Sequence, residues 1–323
     1  MMKDPKSAPQ KESDSMTSRR KARPLAGMAL LVAAATSTSA ALAVERHAPP
    51  PPSAEKQAMI DLAVKHKTAK GLYDYFKSQA NGGQKLTWRN VPDWGGLWTR
   101  EASVFFFDPD QASMTAYTTA KLTPEYEKKY MDKLDRVDQG IEYDPLSAGN
   151  PAGMPRWLVE PFLREFIVTP GQTYLITEQM NEIRRIYTDG RGHIPAEDAY
   201  PLWEGDSIGF WDGDKLVIHT NNMRAGQYQR IQPDYSDQVE CVEVWQKTAD
   251  DTIQADVWIY DPPALEEPWY TKQVYKQVDD QNGALRIHYW NFVESQNNVV
   301  IKTDKGTSDF ADFSFTDEDN GKE

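Results

Sequence analysis

Beyond Pro155 the sequence predicts a mainly β fold, an antiparallel up-and-down barrel with helical additions on its N-terminal side. Three observations predict it. Apolar and polar residues alternate with a period of two in Phe162 to Val168, Thr173 to Thr177, Ile183 to Thr188, Ser207 to Trp211, Lys215 to Thr220, Val239 to Gln246, Thr252 to Tyr260, Thr271 to Val278 and Leu285 to Phe292. Turn residues separate most of these segments: Pro170-Gly171, Asp189-Gly190, Asp212-Gly213, Asp250-Asp251 and Gln281-Asn282-Gly283. No helical pattern lies between them, so consecutive strands pair as a meander, and closing the meander into a barrel removes its exposed edges.

The elements before the meander follow in order. Pro49 to Pro52 form a stiff linker. From Ser53 to Gln79, Met59, Ile60, Leu62, Ala63, Leu72, Tyr73 and Phe76 recur at helical spacing, and Asn81-Gly82-Gly83 supplies a stop; a helix or a helical hairpin broken near Gly71 fits. A strand follows at Pro92 to Trp98. Its Gly96-x-Trp98 resembles the short signature that opens many lipocalin barrels, which implies a lipocalin-like barrel with the Trp plugging its closed end. Thr123-Pro124 is a cap followed by Pro at the first helical position, opening a helix to about Asp138 with Tyr126, Tyr130, Leu134 and Val137 on one face. The chain thus divides into a signal peptide over 1–43, linker and helical arm over 44–84, barrel domain over 85–302 and a polar, acidic tail over 303–323.

The signal peptide rests on Arg19, Arg20, Lys21 and Arg23 before the apolar run Ala26 to Ala35, and on small residues ending in Ala41-Leu42-Ala43. The expected address is periplasmic or secreted, by the Sec route. Ser18-Arg19-Arg20 fits a twin-arginine signal, but Ala22 and Arg23 stand where that route expects hydrophobic residues. After cleavage nothing approaches the roughly 20 apolar residues of a membrane span. The mature chain holds 29 basic and 46 acidic residues, a net −17. Such a surface repels phosphate backbones and anionic lipid, against nucleic-acid or membrane-surface partners. Cys241 is the lone cysteine, so no internal disulfide forms.

Pro92 to Trp98, Gly153-Met154-Pro155-Arg156, Ile186 to His193, Trp203 to Val217, Asp261-Pro262 and Pro268-Trp269 occur in the order and spacing of a family of exported bacterial proteins without an assigned activity. The chain resembles that family over roughly residues 90 to 300. The resemblance implies a lipocalin-like fold and no particular reaction. Two departures stand out: a Cys common before G-x-P-R is absent, and His219 replaces the usual Asp after the L-V-V strand.

Site chemistry concentrates between Arg184 and Thr220. With Asp212-Gly213 as a two-residue loop, Phe210 pairs with Lys215, Ile208 with Val217, and Asp206 with His219. Asp206 and His219 then face each other directly at the barrel mouth, a carboxylate orienting an imidazole base. A satisfied polar pair on a solvated face is the plainer alternative. His193 with Arg184, Arg185, Tyr187, Arg191 and Trp203, and Arg156 adding to the charge, forms a candidate cationic, aromatic-rimmed pocket for a carboxylate or phenolate, and Trp269, on the proline-stiffened loop Asp261 to Tyr270, is a candidate to close over a ligand; packing and surface roles serve these residues equally well. His193, His219 and His288 lack the spacing that brings metal ligands together locally, so no metal is expected unless Asp206 or Glu240 joins them from a distance. The absence of G-x-S-x-G, H-E-x-x-H, C-x-x-C, P-loop and G-x-G-x-x-G patterns implies no cofactor.

Three functions remain open on the sequence. The first is an exported carrier that binds a small apolar or aromatic molecule in a barrel cavity. The second is a cofactor-independent lyase, isomerase or hydrolase using His219 and Asp206. The third is an envelope protein whose barrel is filled.

Overall fold

The computed structural model describes residues 52–101, 106–108, 111–114, 120–140, 144–280, 283–289, 300–302 and 308–310. The expected signal peptide and nearly all of the Pro-rich linker lie outside them. The N-terminal helical segment is a hairpin, α1 (Ala54–His66) and α2 (Ala69–Gln79). The break falls at Lys67-Thr68 rather than near Gly71, because Lys67 takes a positive φ of 65° and Thr68 caps α2. Helix α3 (Pro124–Asp138) starts at the expected cap and buries Tyr130.

Among the described residues the strands, in chain order, are β1 (Leu97–Arg100), β2 (Phe106–Asp108), β3 (Gln111–Met114), β4 (Arg164–Thr169), β5 (Gln172–Thr177), β6 (Ile183–Tyr187), β7 (Asp206–Asp212), β8 (Lys215–Asn221), β9 (Gly226–Gln227), β10 (Asp234–Tyr235), β11 (Glu240–Ala249), β12 (Thr252–Tyr260), β13 (Trp269–Val278), β14 (Val300–Lys302) and β15 (Ser308–Phe310). Nine of them close a barrel in the order β1-β4-β5-β6-β7-β8-β11-β12-β13, with β13 returning to β1. The segment expected as a strand at Leu285 to Phe292 forms no strand over its described residues, 285–289.

One expectation about the barrel is corrected. Its strands are not all antiparallel: β6 and β7 run parallel, with Ile186 opposite Ser207 and Tyr187 opposite Ile208. A tight turn joins only antiparallel neighbours, whereas a parallel pair needs a crossover of a dozen or more residues. Residues 188–205 are that crossover, so Asp189-Gly190 begins a long return rather than a hairpin.

Aromatic rings occupy the barrel interior. Trp245 stacks on Tyr275 with centroids 5.2 Å apart, and Phe166 meets Trp94, Trp245 and Tyr275 edge-on. Trp98, of Gly96-x-Trp98, is fully buried among them and donates its indole N–H to Trp94 O at 2.9 Å. The same interior holds an ion pair with neither partner exposed: Arg184 donates to both oxygens of Glu243, at 2.5 and 2.9 Å, and to Thr220 Oγ1 at 2.7 Å. Such a pair holds its place because its remaining bonds are satisfied; Trp245 Nε1 completes it by donating to Glu243 at 2.8 Å.

The outer face of β7, β8, β11, β12 and β13 is apolar, and the α1–α2 arm covers it. Ile60, Ala63, Leu72 and Tyr73 pack on Ile208, Phe210, Val217, Val242, Trp258, Tyr260 and Tyr270. Two hydrogen bonds fix the docking: Trp258 Nε1 donates to Met59 O and Tyr260 Oη to Ala63 O, each at 3.0 Å.

Candidate functional site

The β7–β8 register decides how the site assembles. Its loop is Gly213-Asp214, with Asp212 opposite Lys215, and not Asp212-Gly213. Gly213 carries the positive φ, 62°, at the first loop position, as a type II′ turn demands. The partner of Asp206 is therefore Asn221, and His219 lies opposite Ile208. This corrects the expected direct pairing of Asp206 with His219. The slip is two residues, however, so both side chains keep the same face. That face is the outer one, because Trp211, Leu216 and Ile218 point inward to the core.

A third residue bridges the gap. His193, brought back over β7 by the crossover, places Nδ1 2.8 Å from Asp206 Oδ2 and Nε2 2.7 Å from His219 Nδ1. His219 Nε2 in turn lies 3.0 Å from Glu240 Oε2. The four side chains form a continuous chain, Asp206–His193–His219–Glu240. Asp206 Oδ2 also accepts the Ile194 N–H at 2.8 Å.

The electrostatics differ along this chain. Burial resists charge on Asp206, but the bonds from His193 and Ile194 outweigh it and hold the carboxyl below the usual carboxylate range. Burial likewise pushes His219 below the ordinary imidazole range, against the support of Glu240. His219 is 1% exposed, and the Tyr73 ring from α2 lies 5.7 Å from its own. Three hydrogen bonds need three protons. An ionised Asp206 takes the His193 Nδ1–H, His193 Nε2 then takes the His219 Nδ1–H, and His219 and Glu240 share the third. Imidazole tautomers are thus assigned by the network. The satisfied chain holds one proton more than two neutral imidazoles.

Beside the chain runs a groove of about 550 Å³ on the outer surface, where the crossover passes over the parallel β6–β7 junction. Its floor is Ile183, Arg185, Tyr187 and Asp206, and its walls are residues 191–195 and 202–205. Arg191 is held by Asp189 at 2.7 Å and lies over the Tyr187 ring at 4.1 Å. Gly205 turns the chain into β7 with φ of 65°; a Cβ there would meet Thr220 Cγ2 at 2.6 Å and Asn221 O at 2.7 Å. Gly153 packs as closely on Trp203, whose carbonyl accepts the Met154 N–H at 2.8 Å. Two segments far apart in the sequence thereby build one groove wall.

The structure brings together Asp206, Arg185, Tyr187, Arg191, His193 and Trp203 around this groove. His219 is the covered middle of the relay and does not line the groove, so it is not placed to touch a ligand there. Arg156 is elsewhere, buried in bidentate contact with Asp144 at 2.8 and 2.9 Å and with Glu160 at 2.5 Å. Trp269 is a core residue, edge-on to Tyr228 at 5.1 Å. Neither belongs to the groove, because their side chains are spent on packing and ion pairing; nor does Arg184, which is fully buried on Glu243 inside the barrel. His288 likewise lies outside it; its backbone N–H donates to Glu178.

Sequence reasoning did not assign Glu240 to the relay, nor did it find Glu204. Glu204 has both carboxyl oxygens buried under the groove wall. Burial, and then the adjacent Glu182 carboxylate, raise its pKa well above the ordinary value. Glu182 accepts the Ala152 and Gly153 N–H groups at 2.7 and 3.0 Å. Cys241 is fully buried, and burial pushes its thiol up. Among the described residues no three His, Cys, Asp or Glu side chains are placed to hold a metal ion.

No family model and no curated protein matches the chain. The site must therefore be read from its own geometry.

Proposed function

We propose that this protein is an exported acid–base enzyme acting on a small molecule in the lateral groove, a cofactor-independent lyase, isomerase or hydrolase. The observation that carries the reading is the unbroken relay from the groove to Glu240, whose side chain is 39% exposed. Asp206 supplies the groove end: Oδ2 is spent on His193 and Ile194, and Oδ1 is the oxygen left for a ligand. A carboxylate held below its ordinary range retains a proton poorly. When the chain is one proton short, with hydrogens on His193 Nε2 and His219 Nε2, His193 Nδ1 is bare and takes that proton from Asp206, which fills the chain. Positioned proton transfer of this kind contributes roughly 10²–10⁴-fold to a rate.

Roles follow from placement. Asp206 with His193 is the base, His219 the positioning residue behind it, and Trp203 and Tyr187 supply aromatic surface from wall and floor. The barrel interior, filled by Trp98, Phe166, Trp245 and Tyr275, serves as scaffold. A carrier that binds in the same groove without turnover is the second reading, favoured by the groove's apolar lining. Export is supported by the basic and apolar pattern of residues 19–43, and the lipocalin-like kinship by Gly96-x-Trp98 and the closed barrel.

The test is deuterium incorporation from D₂O into a panel of small ketones and carboxylates bearing acidic C–H bonds, followed by proton NMR. Wild type is expected to exchange at least one compound. Asp206→Asn and His193→Gln are expected to lose about 10²-fold or more in rate. Equal rates in wild type and both variants, or no exchange across the panel, remove the enzyme reading.

A further inference from the structure

We infer that the groove is a binding site for a monoanionic carboxylate with an apolar or aromatic body, and that Arg185 is its anchor. Three arginines border the groove or its wall, and they are not equivalent. Arg191 is neutralised by Asp189, which meets it at 2.7 Å. Arg224 lies over the Trp203 ring, its Cζ 4.6 Å from the centroid. Arg185 is exposed and, among the described residues, has neither an ion pair nor a side-chain hydrogen bond. In a chain with 49 acidic residues against 36 basic ones, an uncompensated guanidinium on the floor of a groove is the unusual member. Its planar fork matches a carboxylate through two parallel N–H···O bonds.

The position of Arg185 fits this role. The parallel register sets Ile186 beside Ser207, so the preceding residues, Arg185 and Asp206, are neighbours on the outer face. Asp206 nevertheless turns to His193 and the Ile194 N–H instead of pairing with Arg185. The groove therefore presents one free positive group and, next to it, one carboxylate oxygen. A monoanion satisfies the first without crowding the second. A dianionic phosphate would set its second charge against Asp206, so the geometry selects a carboxylate. Ile183, Leu202 and Trp203 offer apolar surface to the rest of the molecule. This inference rests on the proposed reaction only in placing the ligand's acidic C–H, α to the carboxylate, at Asp206; binding itself requires no turnover.

Calorimetric titration tests it, with phenylacetate as monoanion, phenylacetone as neutral congener, phenethylamine as cation and phenyl phosphate as dianion. The proteins are wild type, Arg185→Gln, Arg185→Lys and Asp206→Asn, each checked for native near-UV circular dichroism. Phenylacetate is expected to bind wild type and Asp206→Asn. It should bind Arg185→Gln about tenfold or more weakly, with Arg185→Lys between them, and the other three probes should bind wild type less tightly. Equal affinity for phenylacetone, tighter binding of phenyl phosphate, or an unchanged affinity in Arg185→Gln overturns the inference. Arg185-dependent binding without deuterium exchange leaves the anion site standing and removes the enzyme reading; exchange confined to neutral ketones does the reverse.

Discussion

His193 Nε2 and His219 Nδ1 lie 2.7 Å apart with their rings steeply inclined, 75° between planes, so one imidazole points a nitrogen at the other rather than stacking on it. That contact joins a groove residue to a covered one. Substituting His219 cuts the relay without touching the groove. His219→Asn is expected to lower proton-transfer rates by about 10²-fold while leaving the dissociation constant of a groove ligand unchanged. A purely structural role would move both together, and parallel turnover and titration measurements separate the two.

The relay accepts a proton from the groove only when it is not already saturated. Burial sets the release of His219 below the ordinary imidazole value of 6.5. Activity is therefore expected to rise with pH along a limb whose midpoint lies below 6.5, and to be level above it. In Glu240→Gln the group that supports the His219 charge is neutral, so the midpoint should shift further down. A pH–rate profile of both proteins checks this; an upward shift in the variant contradicts the relay order.

How much of this was legible in the sequence depends on the range of the forces involved. Thr123-Pro124 fixed the start of α3 and Thr252 to Tyr260 delimited β12, because caps and alternation are local. The shared face of Asp206 and His219 survived a wrong loop assignment, since a two-residue slip preserves parity. The parallel β6–β7 pair was hidden because Asp189-Gly190 reads as a hairpin turn whether the chain returns at once or after residues 188–205. Among so many carboxylates Glu240 stood out only as a distant metal-ligand candidate, and Glu204 carried no signal. Their roles depend on partners brought by other strands, His219 in one case and Glu182 in the other.

The buried Arg184–Glu243 pair joins β6 to β11 across the barrel interior, with neither side chain exposed. Glu243→Gln leaves Arg184 charged with only Ser207, Thr220 and a weaker amide partner. Breaking such a pair costs about 3–5 kcal/mol, which in a chain of this size lowers the melting temperature by roughly 10 °C. The double variant Arg184→Met, Glu243→Leu should recover most of the loss, because neither apolar side chain is an unpaired charge. Thermal melts followed by circular dichroism decide it; a double variant no better than the single one means the pair also orders the barrel.

Glu204 predicts a stability that falls as pH rises. Burial and the Glu182 carboxylate keep its native pKa well above that of the unfolded chain. The native state therefore retains a proton that the unfolded chain releases above about 4.5. Its contribution is fully present below that value and declines by about 1.4 kcal/mol for each pH unit until the native group itself ionises. Glu204→Gln removes the titration and still offers an N–H to Glu182. Urea midpoints of wild type and Glu204→Gln should converge near pH 4 and separate progressively toward pH 7, the variant being the more stable. The other carboxylates titrate alike in both proteins and cancel in the difference. A gap that does not change with pH would mean that Glu204 is ionised when folded, and that the groove wall carries a charge beside Arg184 instead of a proton.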